Sequence, residues 1–172
     1  LWLFLCAVLW FGSHLVQAKW PGVPPVPSMG GAVSMALGDR QFSYRMGALT
    51  LQTLGDDGGR VTPLKKYDYA KLAAWFGLLK KLDAVSDHVP LIAAYYFGAT
   101  REPDQARIVA NYLSEIGQNP SGEKWRWLTH AVFLARYRAN DLDIALSFAE
   151  KLAALQLDHG REMPIWARQM PV

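Results

Sequence analysis

The sequence predicts an all-α protein built from antiparallel helix pairs and preceded by one transmembrane helix. Three observations indicate this class. Apolar residues recur at steps of three and four along most of the chain, which is the period of one helix face. Alternation of period two is nowhere sustained, so no strand is predicted. The first 18 residues carry no Asp, Glu, Lys or Arg, which suits a membrane segment.

Composition bounds the classes of function. With 172 residues and 51% hydrophobic content, the chain is long enough for one domain with its own core. Beyond Lys19, 17 Lys and Arg face 15 Asp and Glu, a balance of +2, which is too weak to indicate a nucleic-acid partner. The single cysteine, Cys6, lies in the apolar segment, so the rest of the chain offers no disulfide and no thiolate metal ligand.

Residues 1–18 are interpreted as a transmembrane anchor that contacts membrane lipid. Trp2, Trp10 and Trp20 are the predicted interface anchors of this segment. A secretory signal peptide is the rival interpretation, because residues 16–18 fit the small-residue pattern of a cleavage site; we favour an uncleaved anchor. A short N-terminal anchor usually leaves the following domain outside the cytoplasm. The predicted location is therefore a bacterial inner membrane, with a periplasmic globular domain.

Residues 19–28 are interpreted as a proline-rich linker. They hold four prolines, which exclude a helix and favour the extended polyproline II conformation. Such a segment acts as a semi-rigid spacer. The helical domain is then predicted to cover residues 29–172.

Within that domain, seven helices are separated by short turns. The first helix is either continuous or broken at Gly38, and the sequence leaves both open. The fifth helix is apolar on two sides, which predicts that it lies between two neighbouring helices. The predicted helices cover about residues 29–54, 67–82, 87–99, 103–116, 123–139, 141–155 and 164–170.

Three helix–turn–helix units follow one another. Their second helices carry a small residue, predicted to face inward, at Ala70, Ala106 and Ala145, with separations of 36 and 39 residues. The segment NDLDIALSFAEKLAAL, residues 140–155, resembles the turn and second helix of a tetratricopeptide repeat, whose period is about 34 residues. The resemblance covers about residues 38–157.

Some positions depart from the tetratricopeptide pattern. The first helices of two units supply the expected small residue at Ala48 and Ala94, but Phe133 stands at that place in the third unit. The first unit also has a long insertion at residues 57–66. The motifs that carry the resemblance are therefore degenerate.

The resemblance implies stacked units with a concave face lined by the first helices. Tyr and Arg suit the cores of protein interfaces. Trp166, on the short last helix, is interpreted either as a cap of the array or as an apolar partner contact. The predicted partner-binding residues are Arg45, Gln52, His88, Tyr95, His130, Tyr137, Arg138 and Trp166.

No motif indicates a catalytic or metal site. The four histidines lie on separate elements, and none has a second ligand at metal-binding spacing on its own helix. The polar run at residues 56–59 is a helix stop, since it lacks the ligand series of a calcium loop. We therefore predict no metal, no cofactor and no enzymatic activity.

The sequence thus predicts a non-catalytic protein-binding scaffold. The leading interpretation is an accessory or assembly subunit of a bacterial inner-membrane complex, whose partners are subunits of that integral membrane complex. A free-standing periplasmic adaptor is the first alternative. The second is an enzyme with a site between helices, for which His88, His130 and Glu150 are the plausible nucleus.

Overall fold

A computed structural model describes residues 2–15, 22–57, 60–157 and 162–171. This part of the chain is mainly helical, as the sequence predicts. Two short 3-10 turns cover Leu64–Lys66 and Phe97–Ala99. The helices are α1 (Trp2–Leu15), α2 (Met29–Met35), α3 (Arg40–Gln52), α4 (Tyr69–Leu82), α5 (His88–Tyr95), α6 (Pro103–Gly117), α7 (Trp125–Tyr137), α8 (Leu142–Ala154) and α9 (Ile165–Arg168).

Helix α1 corrects the predicted transmembrane anchor. It has 14 residues, which is about 21 Å at the usual rise and short of a hydrocarbon core of roughly 30 Å. Among the residues described, no helix has the length and apolar content needed to cross a bilayer. The side chains of Trp2 and Trp10 are exposed, and Trp20 lies outside the described residues. The anchor prediction for residues 1–18 is therefore wrong. The predicted bacterial inner-membrane and periplasmic location rested on that anchor and is wrong as well.

Aspartates at the helix starts explain several boundaries. Asp39 accepts two backbone N–H groups at the start of α3, and Asp68 and Asp141 each accept one at the start of α4 and α8. These caps satisfy N–H groups that have no partner inside the helix. Gly38 has φ +90°, which ends the preceding turn. The predicted helix over 29–54 is therefore two helices, α2 and α3.

A small hairpin follows α3, where the sequence predicts no strand. The two-residue strands β1 (Asp56–Asp57) and β2 (Arg60–Val61) pair antiparallel. Gly55 precedes them with φ +83°, and a Cβ there would lie 1.7 Å from the Tyr67 hydroxyl. That hydroxyl donates a 2.9 Å hydrogen bond to the Leu54 carbonyl. A pairing of two residues is too short to produce a detectable alternation in the sequence.

Helix α7 lies between α6 and α8, with which it makes the most extensive helix contacts among the described elements. This confirms the prediction from its two apolar sides. Gly117, the last residue of α6, permits the close approach of α7, because a Cβ there would lie 2.3 Å from the Leu128 backbone nitrogen. Further contacts join α3 to α4, α4 to α6 and α5 to α6. The largest fully buried side chains include Phe76, Phe97, Leu113, Leu128 and Leu152.

The predicted inward alanines divide into two groups. Ala106 and Ala145 are buried, as predicted. Ala70 is exposed, so the prediction that it faces inward is wrong. Helix α4 begins at Tyr69, whose ring is buried and whose hydroxyl donates to the Phe97 carbonyl over 2.9 Å. Tyr69 therefore sets the inward face of α4, and Ala70 points to solvent.

Residues 22–28 lie against the helical domain, although the sequence suggests a spacer. Val23 is buried and belongs to the core. The indole N–H of Trp75 donates a 3.0 Å hydrogen bond to the Pro24 carbonyl. This part of the proline-rich segment thus covers one side of α4.

Candidate protein-binding surface

Three adjacent hollows follow one another along the side of the molecule formed by α3, α5 and α7. The first hollow, about 750 Å³, lies between α3 and residues 83–88. The second, about 470 Å³, lies between α5 and α7. The third, about 650 Å³, lies between α7 and the C-terminal residues 162–166. Thr129 and His130 line both the second and the third, so these two form one continuous surface, and the first lies at the other end of α5.

The first hollow is lined by polar and charged side chains together with apolar ones. Arg45 and Gln52 line it from α3, and His88 lines it from the start of α5. The Gln41 side-chain amide donates to the Asp83 carboxylate over 2.9 Å, which fixes one wall. Burial raises the pKa of Tyr44, so this tyrosine, which also lines the hollow, stays uncharged at neutral pH.

A buried lysine holds the loop before α5 against α7. The Lys124 ammonium donates to the Asp87 carboxylate over 2.5 Å and to the Val85 carbonyl over 2.6 Å. The indole N–H of Trp127 donates to the same Asp87 oxygen over 2.6 Å. Burying a charge is costly unless it is paired and hydrogen-bonded, and here both conditions are met. The loop that contributes Val85 to the first hollow is therefore fixed against α7.

The second hollow is centred on the pair Tyr95 and His130. The Tyr95 hydroxyl lies 2.9 Å from His130 Nε2, and the two rings meet edge to face at 4.9 Å. The ring of Trp127 lies 5.8 Å from the other side of the imidazole. Burial lowers the pKa of His130, so the ring is neutral at pH 7 and its proton is assigned to Nδ1, leaving Nε2 to accept from Tyr95.

Aromatic rings continue along α7 beyond His130. Phe133 is 48% exposed and Tyr137 is 64% exposed, and their ring centroids lie 5.2 Å apart. Across the second hollow, Tyr95 on α5 is 63% exposed. The guanidinium of Arg136 lies over the Tyr137 ring at 5.4 Å. Arg138 lines the second hollow at the end of α7.

The third hollow is bounded by the short helix α9. Met163 and Ala167 are buried against the domain, whereas Trp166 stays half exposed. The Trp166 ring lies 5.8 Å from that of Trp125. Trp166 therefore packs on α7 and also presents a free side to the hollow, which is compatible with both interpretations of this residue.

Seven of the eight predicted partner-binding residues line these hollows. Arg45, Gln52 and His88 line the first. Tyr95, His130 and Arg138 line the second, and His130 and Trp166 line the third. Tyr137 is exposed beside Phe133. Their role in binding a partner stays a prediction.

The sequence reasoning missed some exposed apolar residues. The tetratricopeptide pattern expects a small residue at the position of Phe133. The structure shows that the Phe133 side chain lines the second hollow. On α3, the opposite face from the buried one carries an exposed apolar stripe at steps of four and three, which the sequence pattern already contained. This stripe comprises Phe42, Met46 and Leu49.

The predicted alternative of an enzyme rests on His88, His130 and Glu150. No group of three or more His, Cys, Asp or Glu side chains in that part of the chain could hold a metal ion. His130 bonds to Tyr95, and no hydrogen bond among the described residues joins any two of His88, His130 and Glu150. His159 lies outside the described residues.

Comparison with known proteins gives no relative: no family model, no curated protein and no solved structure matches this chain. The identification as a tetratricopeptide-like protein with an N-terminal membrane anchor is therefore corrected. No family model supports the tetratricopeptide resemblance, and α1 is too short for the predicted membrane anchor. The function is argued below from the surface alone.

Proposed function

We propose that this chain is a non-catalytic protein-binding scaffold, and that it acts as an accessory or assembly subunit of a larger protein complex. Its binding surface is the row of three hollows. The observation that carries the proposal is the set of exposed aromatic rings, Tyr95, Phe133 and Tyr137, which stand together at the second hollow.

Single exposed apolar residues are ordinary on protein surfaces, but a contiguous group is typical of an interaction site. Burying the exposed half of one aromatic ring removes on the order of 100 Å² of apolar surface from water. That contributes about 2 kcal/mol before the cost of association is subtracted. Three such rings contribute about 6 kcal/mol, against an association cost of about 4–15 kcal/mol, so they can anchor an interface that further contacts complete.

The rings are also held in place before a partner arrives. Tyr95 is fixed by its hydrogen bond to His130, and the adjoining loop is fixed by Lys124 and Trp127 through Asp87. A surface that is already ordered loses less side-chain entropy on binding. Tyr and Arg are the residue types that most often dominate binding energy at such surfaces.

The dimensions suit an extended segment of a partner. Packed helices lie about 8–10 Å apart, so a path across α3, α5 and α7 covers two such intervals, roughly 20 Å. An extended chain advances about 3.3 Å per residue, and about six residues therefore cross the surface.

The test is purification of the tagged full-length chain in mild detergent, followed by mass spectrometry of co-purifying proteins. Three versions are compared: the wild type, the surface variant Tyr95→Ser/Phe133→Ser, and a control variant Leu142→Ser/Leu146→Ser on α8. The control residues are similarly exposed, with Leu146 at 47%, and they line none of the three hollows.

We expect a partner in fixed ratio with the wild type and the control, and its loss from the surface variant. A partner that stays with the surface variant contradicts the assignment of the surface. A wild-type chain that elutes alone contradicts the subunit role, and a free-standing adaptor then becomes the leading interpretation.

A further inference from the structure

The second hollow has an apolar lining with a single charge. Its described lining residues are Ala94, Tyr95, Gly98, Ala99, Thr129, His130, Phe133, Leu134 and Arg138. Among them only Arg138 carries a formal charge at pH 7, since His130 is neutral. A hollow of this kind accepts an apolar side chain of a ligand. The positive charge at its edge favours an acidic group next to that side chain.

Arg138 differs from the other arginines on α6 and α7 near this surface. Arg126 pairs with Glu123 at 2.9 Å, and Arg107 pairs with Asp141 at 3.2 Å. Arg136 lies over the Tyr137 ring. Arg138 is exposed and has no ion pair or ring contact with any residue that the structure describes. Its planar guanidinium presents paired N–H donors that match a carboxylate.

We propose that the second hollow binds an aliphatic or aromatic side chain of an extended partner segment, and that Arg138 pairs with an acidic residue adjacent to that side chain. This inference rests on the proposed function and specifies the chemistry of the partner.

The surroundings favour an internal segment of the partner over its C-terminus. The second hollow continues into the third through Thr129 and His130 on α7, and α5 leads from its other side toward the first, so a chain that crosses it has surface to follow on both sides. The third hollow contains Glu162, which has no ion pair among the described residues. A carboxylate placed there is repelled by Glu162, and Arg126 in the same hollow is already paired with Glu123. Of the second and third hollows, the second therefore offers the better place for an acidic residue, beside Arg138.

The experiment selects peptides from a random 12-residue library displayed internally on phage, with the full-length chain in mild detergent as the target. The targets are the wild type, Arg138→Glu and the control Arg136→Glu, which reverses a neighbouring charge outside the hollow. A second library that displays free C-termini is selected in parallel. Enriched peptides are synthesised, and their affinity is measured by fluorescence anisotropy.

We expect the wild type and Arg136→Glu to enrich peptides with Asp or Glu within two positions of an aromatic or aliphatic residue. Arg138→Glu should weaken these peptides about five- to tenfold, in line with an exposed ion pair that is replaced by repulsion. It should also enrich Lys or Arg at the same place.

Other results overturn the inference in distinguishable ways. If Arg138→Glu enriches the same peptides as the wild type, the acidic partner is wrong, while loss of binding in Tyr95→Ser/Phe133→Ser keeps the proposed function. Enrichment only from the free C-terminal library overturns the internal segment. If no peptide binds the wild type, the inference fails, while the proposed function is still decided by co-purification of a partner with the wild type.

Discussion

Helices α6 and α7 pack closely against each other, yet they use their apolar residues differently. Helix α6 buries one face and presents polar side chains on the other, and none of its large apolar side chains is exposed. It is tied to its neighbours by ion pairs, Lys80–Glu115 at 3.0 Å and Arg107–Asp141 at 3.2 Å. Helix α7 is covered by both α6 and α8, and still exposes Phe133 and Tyr137.

The difference separates residues needed for folding from residues available for binding. The inward face of α7 is filled by Leu128, Ala131, Leu134 and Ala135, all buried. Packing is therefore complete without Phe133 and Tyr137. Four predictions test this comparison.

The largest effect is expected from core truncation on α6 compared with ring truncation on α7. Leu113 is fully buried, so Leu113→Ala should lower the free energy of unfolding by about 2–5 kcal/mol. Phe133→Ala, at an exposed position, should lower it by about 1 kcal/mol or less. Urea denaturation measures both. A loss at Phe133 equal to that at Leu113 would show that α7 uses this ring for folding.

The second prediction concerns the close approach of the two helices. Gly117→Ala places a methyl group against the Leu128 backbone, and should cost roughly 3 kcal/mol of stability. The control is Gly77→Ala, inside α4, where a Cβ meets no atom within 4 Å. That change should stabilise the chain by about 0.5–1 kcal/mol. The Tm of both variants is measured by thermal denaturation. An unchanged Tm in Gly117→Ala would contradict the close contact between α6 and α7.

The third prediction is a pH dependence that originates on α7. Burial lowers the pKa of His130 in the folded state, so between its unfolded value of about 6.5 and the lowered value the unfolded chain binds more protons. Stability should therefore fall as pH is lowered from 7 to 5. His130→Gln should reduce that fall in Tm, whereas His88→Gln, an exposed control, should leave it unchanged. An equal fall in His130→Gln and wild type contradicts the assignment.

The smallest effect is expected at an ion pair of α6. Lys80 and Glu115 are both substantially exposed, and such pairs contribute about 0.2–1 kcal/mol. Lys80→Met should lower stability by no more than that, and added salt should remove the difference. Denaturation at low and high ionic strength measures it, and a salt-independent loss above about 1 kcal/mol would indicate a structural role beyond the pair.

Local patterns predicted much of the fold. The apolar stripes of α4, α6, α7 and α8 have helical period, and short polar turns precede them, with aspartate caps at α4 and α8 and a proline at the start of α6. The sequence therefore predicts these helices to within a few residues. The break at Gly38 stayed open, because a single glycine is tolerated inside a helix as well as at its end. The inward residue of α4 was misassigned because a shift of one residue turns a side chain by about 100°.

The sequence predicts only part of the candidate surface. The sequence predicts Arg45, Tyr95 and His130 on one side of the molecule; Arg45 lines the first hollow, and Tyr95 and His130 line the second. The hydrogen bond between Tyr95 and His130 joins residues 35 positions apart, and no local pattern indicates it. The exposure of Phe133 depends on which side of α7 its neighbours cover.

By itself, the sequence determined the helical class, most helix boundaries and the aromatic character of α5 and α7, because these depend on interactions between residues a few positions apart. Only the tertiary structure decided that the inward face of α7 is filled without Phe133 and Tyr137, that Arg138 lacks an ion pair among the described residues, and that the second and third hollows are continuous. Each of these depends on contacts between distant parts of the chain, whose geometry is set by how closely the helices approach.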